Sequence, residues 1–292
     1  MRYFFKSICT SSFWRYALFS KGGIGSFFAA MGVMYLFMEI MDFLAIYAKD
    51  KYSKYAIIPI ALIALAYVIA SRRPLTRFVY KAPGRDIQVE VKIGDLFEEK
   101  ADVVISSNTT FDTDMASGLI SPQSLQGQFA LQFFNGNTDD IDRQLDASLA
   151  NAPSQPRDNP PGKALEYPIG TVAKVEAHSR IFYFLAMSRL NAQGTASTTV
   201  REVEDALNDL WGFIATQGEM REVAIPVIGT GRGRLDLQRK KMIERISQSF
   251  VDASAGRIFA NRLILVIHPK DAENFGVNLF EIRDYVVRGI NA

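Results

Sequence analysis

Three short polar segments carry the residues best suited to bind an anionic ligand. They are Gly94-Asp95, the run from Ser107 to Thr113, and Gly229-Thr230-Gly231-Arg232-Gly233-Arg234. In the third segment, glycines allow close approach to the backbone, a following helix offers free N–H groups, and Arg232 and Arg234 can pair with phosphate oxygens. By itself this segment is equally consistent with a flexible turn, because it matches neither a GxxxxGK[ST] phosphate loop nor a GxGxxG dinucleotide turn.

Two carboxylates in or next to the second segment allow a different chemistry. Asp112 and Asp114 could activate a water molecule for hydrolysis, and they could equally bond hydroxyl groups of a ligand or cap local turns. The chain has one cysteine and two histidines, so the sequence holds no Cys/His cluster of the kind that binds zinc. We therefore expect neither a metal nor a cofactor.

Alternating strands and helices must position these segments. The strand and helix patterns indicate a mixed, mostly parallel sheet between helices, a three-layer α/β sandwich, in which ligands bind beyond the carboxyl ends of the strands. The predicted strands are 87–93, 102–107, 171–177, 181–187, 222–228 and 262–268. The predicted helices are 121–134 with Ser121 as cap, 139–149, 198–216, 235–251 and 279–287, and a Pro-rich loop covers 152–163.

The N-terminal part of the chain reads as a membrane segment. Residues 24–47 and 55–70 are predicted to form two transmembrane helices, a hairpin within residues 24–71, after a basic and aromatic segment over 1–23. Nine Lys/Arg flank the two ends and three lie in the connector, which favours both termini in the cytoplasm. The alternative is a signal peptide followed by a buried helix.

Glu39 and Asp42 lie three residues apart in the first predicted span, hence on one helical face. Acids inside a bilayer are costly and usually face a partner or water, so these residues could line a helix assembly or a water path. Alternatively, the span ends near Met38 and both acids lie at the outer interface.

Charge divides the chain into two regions. Residues 1–85 carry 12 Lys/Arg and 3 Asp/Glu, whereas residues 86–292 have a net charge of −7. The basic excess can meet anionic lipid headgroups. The acidic charge of residues 86–292 argues against broad binding of nucleic acid. A basic linker is predicted over residues 72–85, between the membrane segment and the acidic region.

The order of these segments resembles the macro domain superfamily over residues 86–292. The resemblance rests on Gly94-Asp95 after one strand, Asn108 at the end of the next, and the PVIGTGRG run at 226–233 before a helix. Two further motifs, FDT at Phe111–Thr113 and SLQGQF at Ser124–Phe129, are similar to membrane-anchored macro-domain effectors of type II Thoeris antiphage defence. Two N-terminal spans fit that architecture.

The resemblance implies a site for ADP-ribose or a derivative. Asp95 would accept a hydrogen bond from the adenine amino group, although it could instead cap the short helix after it. Asn108 would contact the distal ribose or serve as a turn residue, and residues 229–233 would wrap the diphosphate. The predicted site is completed by Leu96, Phe111, Asp112, Thr113 and Arg234.

The resemblance also implies a function, in which a TIR-domain protein makes the signal nucleotide and the macro domain captures it. The membrane part, located in the bacterial inner membrane, is then expected to form a homo-oligomer and to disrupt that membrane. ADP-ribosyl hydrolases of this superfamily commonly carry an Asn-x-x-Asn segment, whereas in this chain Asn108 is followed by Thr-Thr-Phe. This departure favours binding over turnover. A membrane-tethered ADP-ribosyl hydrolase and a structural anchor that binds a protein partner are the alternatives.

Overall fold

The structure is a computed structural model, which describes residues 5, 8–9, 11–44, 46, 49–72, 76–158, 162–190, 196–228 and 238–291. The chain divides into two compact units. The first contains residues 1–75 and 272–281, and the second contains residues 76–271 and 282–292.

Three helices form most of the first unit: α1 (Ser11–Phe19), α2 (Lys21–Phe43) and α3 (Lys49–Ser71). Helix α2 begins three residues before the predicted span because Ser20 caps it, its hydroxyl accepting the Gly23 N–H at 3.0 Å. The Arg72 guanidinium at the end of α3 donates to the same hydroxyl at 3.1 Å. The ends of α2 and α3 are therefore joined through one serine.

In the part of the chain that the structure describes, one helix is long and apolar enough to span a membrane. Lys21–Phe43 is long and apolar enough to cross a bilayer, whereas the apolar part of α3, Tyr55–Ser71, is shorter. Helix α2 covers residues 24–43 of the first predicted span and α3 covers all of the second, but the predicted hairpin of two transmembrane helices is supported only in part.

Among its described residues, the second unit contains ten strands and four complete α-helices, and it shares two further helices with the first unit. The strands are β1 (Arg77–Lys81), β2 (Gln88–Ile93), β3 (Asp102–Asn108), β4 (Gln155–Pro156), β5 (Leu165–Glu166), β6 (Val172–Ala177), β7 (Arg180–Leu190), β8 (Ala196–Ser197), β9 (Val223–Pro226) and β10 (Arg262–Ile267). The helices are α4 (Leu125–Phe134), α5 (Asp139–Leu149), α6 (Val200–Gln217), α7 (Arg239–Ala253), α8 (Pro269–Asn274) and α9 (Leu279–Asn291), of which α8 and α9 cross the boundary with the first unit.

The main sheet is mixed and mostly parallel, as predicted. Its strand order is β1-β2-β10-β9-β3-β7-β6, with β8 paired to β7. The five central strands, which are β2, β10, β9, β3 and β7, are parallel to one another. Strands β1, β6 and β8 are antiparallel to their neighbours. All five central strands therefore end at the same edge.

Helices cover both faces of this sheet. Because side chains alternate along a strand, Val103 and Ile105 of β3 face the layer of α4 and α5, where Phe129 and Leu145 are fully buried. On the other side, Trp211 of α6 packs against Phe250 of α7 at 5.6 Å between ring centroids. These two cores hold the central strands rigidly and thereby fix where their carboxyl ends lie.

Two sequence-based assignments need correction. The stretch predicted as a basic linker, 72–85, contains strand β1, whose Phe78 is 7% exposed and packs on the sheet between exposed Arg77 and Val79. Helix α4 is capped by Ser124 rather than by Ser121, and its hydroxyl accepts the Gly127 N–H at 3.1 Å. The Ser121 carbonyl instead accepts the Ser124 N–H at 2.9 Å, in a turn that precedes the helix.

Candidate functional site

The polar segments after β2 and β3 lie at the edge where the parallel strands end. Strand β2 stops at Ile93, and the Gly94 N–H donates to the Ile267 carbonyl at the end of β10 at 3.1 Å. Strand β3 stops at Asn108, and β10 and β9 lie between β2 and β3. Three strand spacings separate the two segments, which is about 14 Å.

Asp95 caps the short 3₁₀ helix Leu96–Glu98. One carboxylate oxygen accepts the Phe97 N–H at 2.9 Å, and this is the capping role that the sequence left open. The residue is half-buried, and its other oxygen makes no hydrogen bond to the residues that the structure describes. Leu96 is 5% exposed and packs into the core, so its side chain holds the loop in place.

Asn108 organises the loop that follows β3. Its side-chain oxygen accepts the N–H groups of Thr110 at 3.2 Å and Asp112 at 3.1 Å. Its amide nitrogen donates to the Asp112 carboxylate at 3.1 Å. The loop bends sharply, because Phe111 has a φ of 51° in the left-handed region. Asn108 is thus a turn residue whose side chain is already engaged by its own loop.

Asp112 is 2% exposed, and both of its carboxylate oxygens are occupied. One accepts the Lys163 N–H at 2.7 Å, and the other accepts from the side chains of Asn108 and Thr110. Its backbone carbonyl accepts the side-chain amide of Gln126 on α4. The carboxylate therefore ties the β3 loop to the end of the Pro-rich loop.

Thr113 is also buried, and its hydroxyl contacts both carboxylate oxygens of Asp142 on α5, at 2.8 and 2.9 Å. The Phe111 ring is fully buried and meets Tyr167 edge-on, with 5.5 Å between ring centroids. In this structure the side chains of the FDT motif serve to hold the loop, and their ligand contacts stay predictions.

Asp114, the second candidate for water activation, is exposed and caps a local turn. It accepts the N–H groups of Ala116 at 2.8 Å and Ser117 at 3.2 Å. Hydrogen bonds from the Ser117 side chain and from these amides hold the pKa of Asp114 below its usual value. A carboxylate of lowered pKa is a weaker base.

The remaining candidates are the segment 229–234 and the two acids of α2. Residues 229–237, which include Gly229, Thr230, Gly231, Arg232, Gly233 and Arg234, are outside the described residues, and β9 leads towards them through buried Ile228. Glu39 and Asp42 are half-buried on α2, and each takes part in an interaction. Within the described residues no group of three His, Cys, Asp or Glu could hold a metal ion.

A cavity of about 800 Å³ lies beside edge strand β6, between α5 and α6. Its lining includes Lys174, Asp209 and Phe213 and contains none of the predicted ligand residues.

Three residues that organise the site escaped the sequence-based prediction: Asp142, Lys163 and Tyr167. The Tyr167 N–H donates to the Thr109 carbonyl at 2.8 Å, and Lys163 contacts both Asp112 and Asp142. Each of the three contacts a residue of the β3 loop that is 29 or more positions away in sequence, so no local pattern predicts these contacts. Gln126 belongs to the SLQGQF motif, but the motif does not predict the buried hydrogen bond from its side-chain amide to the Asp112 carbonyl.

The comparisons with known proteins identify the family. A mixed sheet between helices, with polar loops at its carboxyl edge, is the architecture of a macro domain. A family model described as "Thoeris protein ThsA, Macro domain" matches residues 89–268, more than half of the chain. The chain therefore belongs to the Thoeris ThsA macro-domain family.

Individual relatives are more distant. A Thoeris protein ThsA from Bacillus amyloliquefaciens (strain Y2) is 26% identical over 155 residues, covering 49% of this chain and 49% of that protein. The chain thus matches about half the length of this curated relative.

Solved structures resemble the chain weakly. A macrodomain mutant from Oceanobacillus iheyensis with ADPR has a TM-score of 0.41 at 12% identity and covers 73% of this chain and 99% of its own. A tomato leucine aminopeptidase mutant has a TM-score of 0.43 at 12% identity and covers 74% and 37%. At such scores neither structure carries an argument about the site.

Proposed function

We propose that the protein is a Thoeris effector that binds an ADP-ribose-derived signal nucleotide at the carboxyl edge of its sheet. A TIR-domain protein would supply the nucleotide. Binding would then favour association of several copies in the bacterial inner membrane, followed by membrane disruption.

The observation that carries this proposal is the placement of the Asp95 and Asn108 loops on one edge, about 14 Å apart. This separation suits an extended ligand with a base at one end and a second ribose at the other. Among the described residues, no donor bonds to the second carboxylate oxygen of Asp95, and recognition of an adenine amino group requires such an oxygen. The 229–234 loop is proposed to meet the diphosphate between them, since β9 lies between β2 and β3.

The membrane assignment rests on helix α2. Its 23 residues extend over about 34 Å, enough for the hydrocarbon core of a bilayer, and most of its apolar side chains are exposed. We propose that α3 completes a hairpin, with both termini and the macro domain on the cytoplasmic side.

Binding without turnover is favoured by the state of the two acids. Asp112 has both oxygens occupied by neighbouring donors, and Asp114 caps a turn with a lowered pKa. Neither is set up to take a proton from water. We therefore propose a sensor rather than an ADP-ribosyl hydrolase.

Calorimetry of the full chain in detergent with ADP-ribose tests the site through two variants of Asp95. Asp95→Ser retains a good helix cap but shortens the side chain, so we expect wild-type thermal stability with binding weakened about tenfold. Asp95→Ala removes the cap as well, at a cost of about 1 kcal/mol of stability. Wild-type affinity in the serine variant would remove Asp95 from the site.

The same preparation tests the response. A ligand changes an equilibrium only through its preference for one state, so saturating ADP-ribose is expected to increase the mass of the particle in light scattering. An unchanged mass, with binding intact in calorimetry, would refute the assembly step and leave the binding step standing.

A further inference from the structure

Asp142 joins two loops at one end of the candidate site. It lies in the first turn of α5, and its carboxylate accepts the Thr113 hydroxyl at 2.8 Å and pairs with the Lys163 ammonium at 2.5 Å. We call Thr113, Asp142 and Lys163 the clasp. Thr113 ends the β3 loop and Lys163 ends the Pro-rich loop, so the clasp fastens one to the other.

The clasp belongs to a wider set of bonds between the same two loops. The Lys163 N–H donates to Asp112 at 2.7 Å, and the Tyr167 N–H donates to the Thr109 carbonyl at 2.8 Å. The Thr109 hydroxyl donates to Glu166 at 3.0 Å. These contacts make the β3 loop and residues 162–167 one connected body.

The role of Asp142 in helix α5 is shared with other residues. Asp139 and Asp140 also occupy the first turn, where negative charge favours the helix. Among the described residues, Asp140 pairs with its near neighbour Arg143 at 2.8 Å. What distinguishes Asp142 is its pair of long-range partners. The Lys163 side chain is 30% exposed, so replacing Asp142 does not leave an unpaired charge buried in the core.

From this arrangement we propose that Asp142 is a positioning residue, which sets the distal end of the nucleotide site without contacting the ligand. The inference rests on the proposed function, in which Asn108 contacts the distal ribose. Thr113 follows Asn108 in the same loop, whereas Asp95 lies three strands away. Loss of the clasp therefore affects recognition of the distal ribose and leaves recognition of adenine unchanged.

Two ligands separate these ends of the site: ADP-ribose, which has the distal ribose, and ADP, which lacks it. In full-length Asp142→Asn, we expect calorimetry to give about tenfold weaker binding of ADP-ribose and unchanged binding of ADP. Asp140→Asn makes the same substitution two residues away and should match the wild type with both ligands. Lys163→Met, which keeps the aliphatic stem, should behave like Asp142→Asn.

Amide hydrogen exchange without ligand distinguishes positioning from contact. A positioning role predicts faster exchange in residues 109–113 and 162–167 of ligand-free Asp142→Asn, with no change in Asp140→Asn. Weakened binding with wild-type exchange would mean that Asp142 touches the ligand, and would overturn the proposal, as would equal losses for ADP and ADP-ribose.

The two levels of inference can fail separately. If the wild-type chain binds neither ligand, the proposed function fails, while faster exchange in Asp142→Asn would still establish the clasp. If the wild type binds ADP-ribose and Asp142→Asn matches it in binding and exchange, the proposal for Asp142 alone is refuted.

Discussion

Gly162 is exposed, yet its substitution by alanine is expected to destabilise the macro domain. A Cβ atom at this position would lie 2.2 Å from an Asp112 carboxylate oxygen and 2.9 Å from Leu119 Cδ1. Asp112 has little room to retreat, because it is buried and held by Asn108, Thr110 and the Lys163 N–H. The backbone at Gly162 must therefore move outwards, which breaks the bond from the Lys163 N–H.

The magnitude follows from these contacts. A hydrogen bond to a charged group contributes about 1.5–3 kcal/mol, and overpacking costs about 1–3 kcal/mol. One outward movement both relieves the steric clash and breaks the hydrogen bond, so the two costs do not add. We therefore expect the free energy of unfolding to fall by about 2 kcal/mol. For a domain of this size, that lowers Tm by about 4–8 °C.

Fluorescence of Trp211 provides the assay. Trp211 is 1% exposed in the core of the second unit, and Trp14 is the other tryptophan of the chain. Thermal unfolding of the full chain in detergent, in a Trp14→Phe background, thus follows the macro domain. Gly256→Ala is the control, since its Cβ would meet nothing within 4 Å and no measurable loss is expected. An unchanged Tm for Gly162→Ala would refute the reasoning that Asp112 is rigidly held.

Two further predictions concern other parts of the macro domain. Gln144 and Ser148 of α5 accept the N–H groups of Glu176 and Lys174, each at 2.8 Å, and so cover the outer edge of β6. Replacing both by alanine should accelerate amide exchange at positions 174 and 176 about tenfold, and unchanged exchange would show that this cover is dispensable. Burial raises the pKa of Asp102 above its usual 3.8, so the folded protein holds this proton to higher pH than the unfolded chain. Stability should therefore fall as pH rises through the range above 3.8, and Asp102→Asn should remove that decline; parallel curves of Tm against pH for variant and wild type would contradict this.

Local signals predicted the elements of the fold well. Helix α5 was predicted with its observed ends, Asp139 and Leu149, because acids at its start and spaced apolar residues agree. The central strands were predicted to within a few residues from their apolar runs. Strand β1 was missed because five residues with two basic ends, RFVYK, resemble a linker until β2 pairs with them.

The candidate site was predictable only in part. Sequence reasoning located Asn108 and Asp112 because polar residues after a buried strand are conspicuous. It left both residues open between a ligand contact and a local structural role. In this structure they bond to each other, and Asp112 also accepts the Lys163 N–H. The clasp could not be foreseen, since Asp142 lies 29 residues from Thr113 in sequence and their contact depends on how α5 packs against the sheet.

Amide exchange of the full chain with and without saturating ADP-ribose tests the central claim most directly. If one extended ligand bridges the loops after β2 and β3, amides at 95–97 and at 108–113 gain protection together, at the same ligand concentration. Protection confined to one of these loops, or absent from both while ADP-ribose is bound, would contradict a shared site at the carboxyl edge of the sheet.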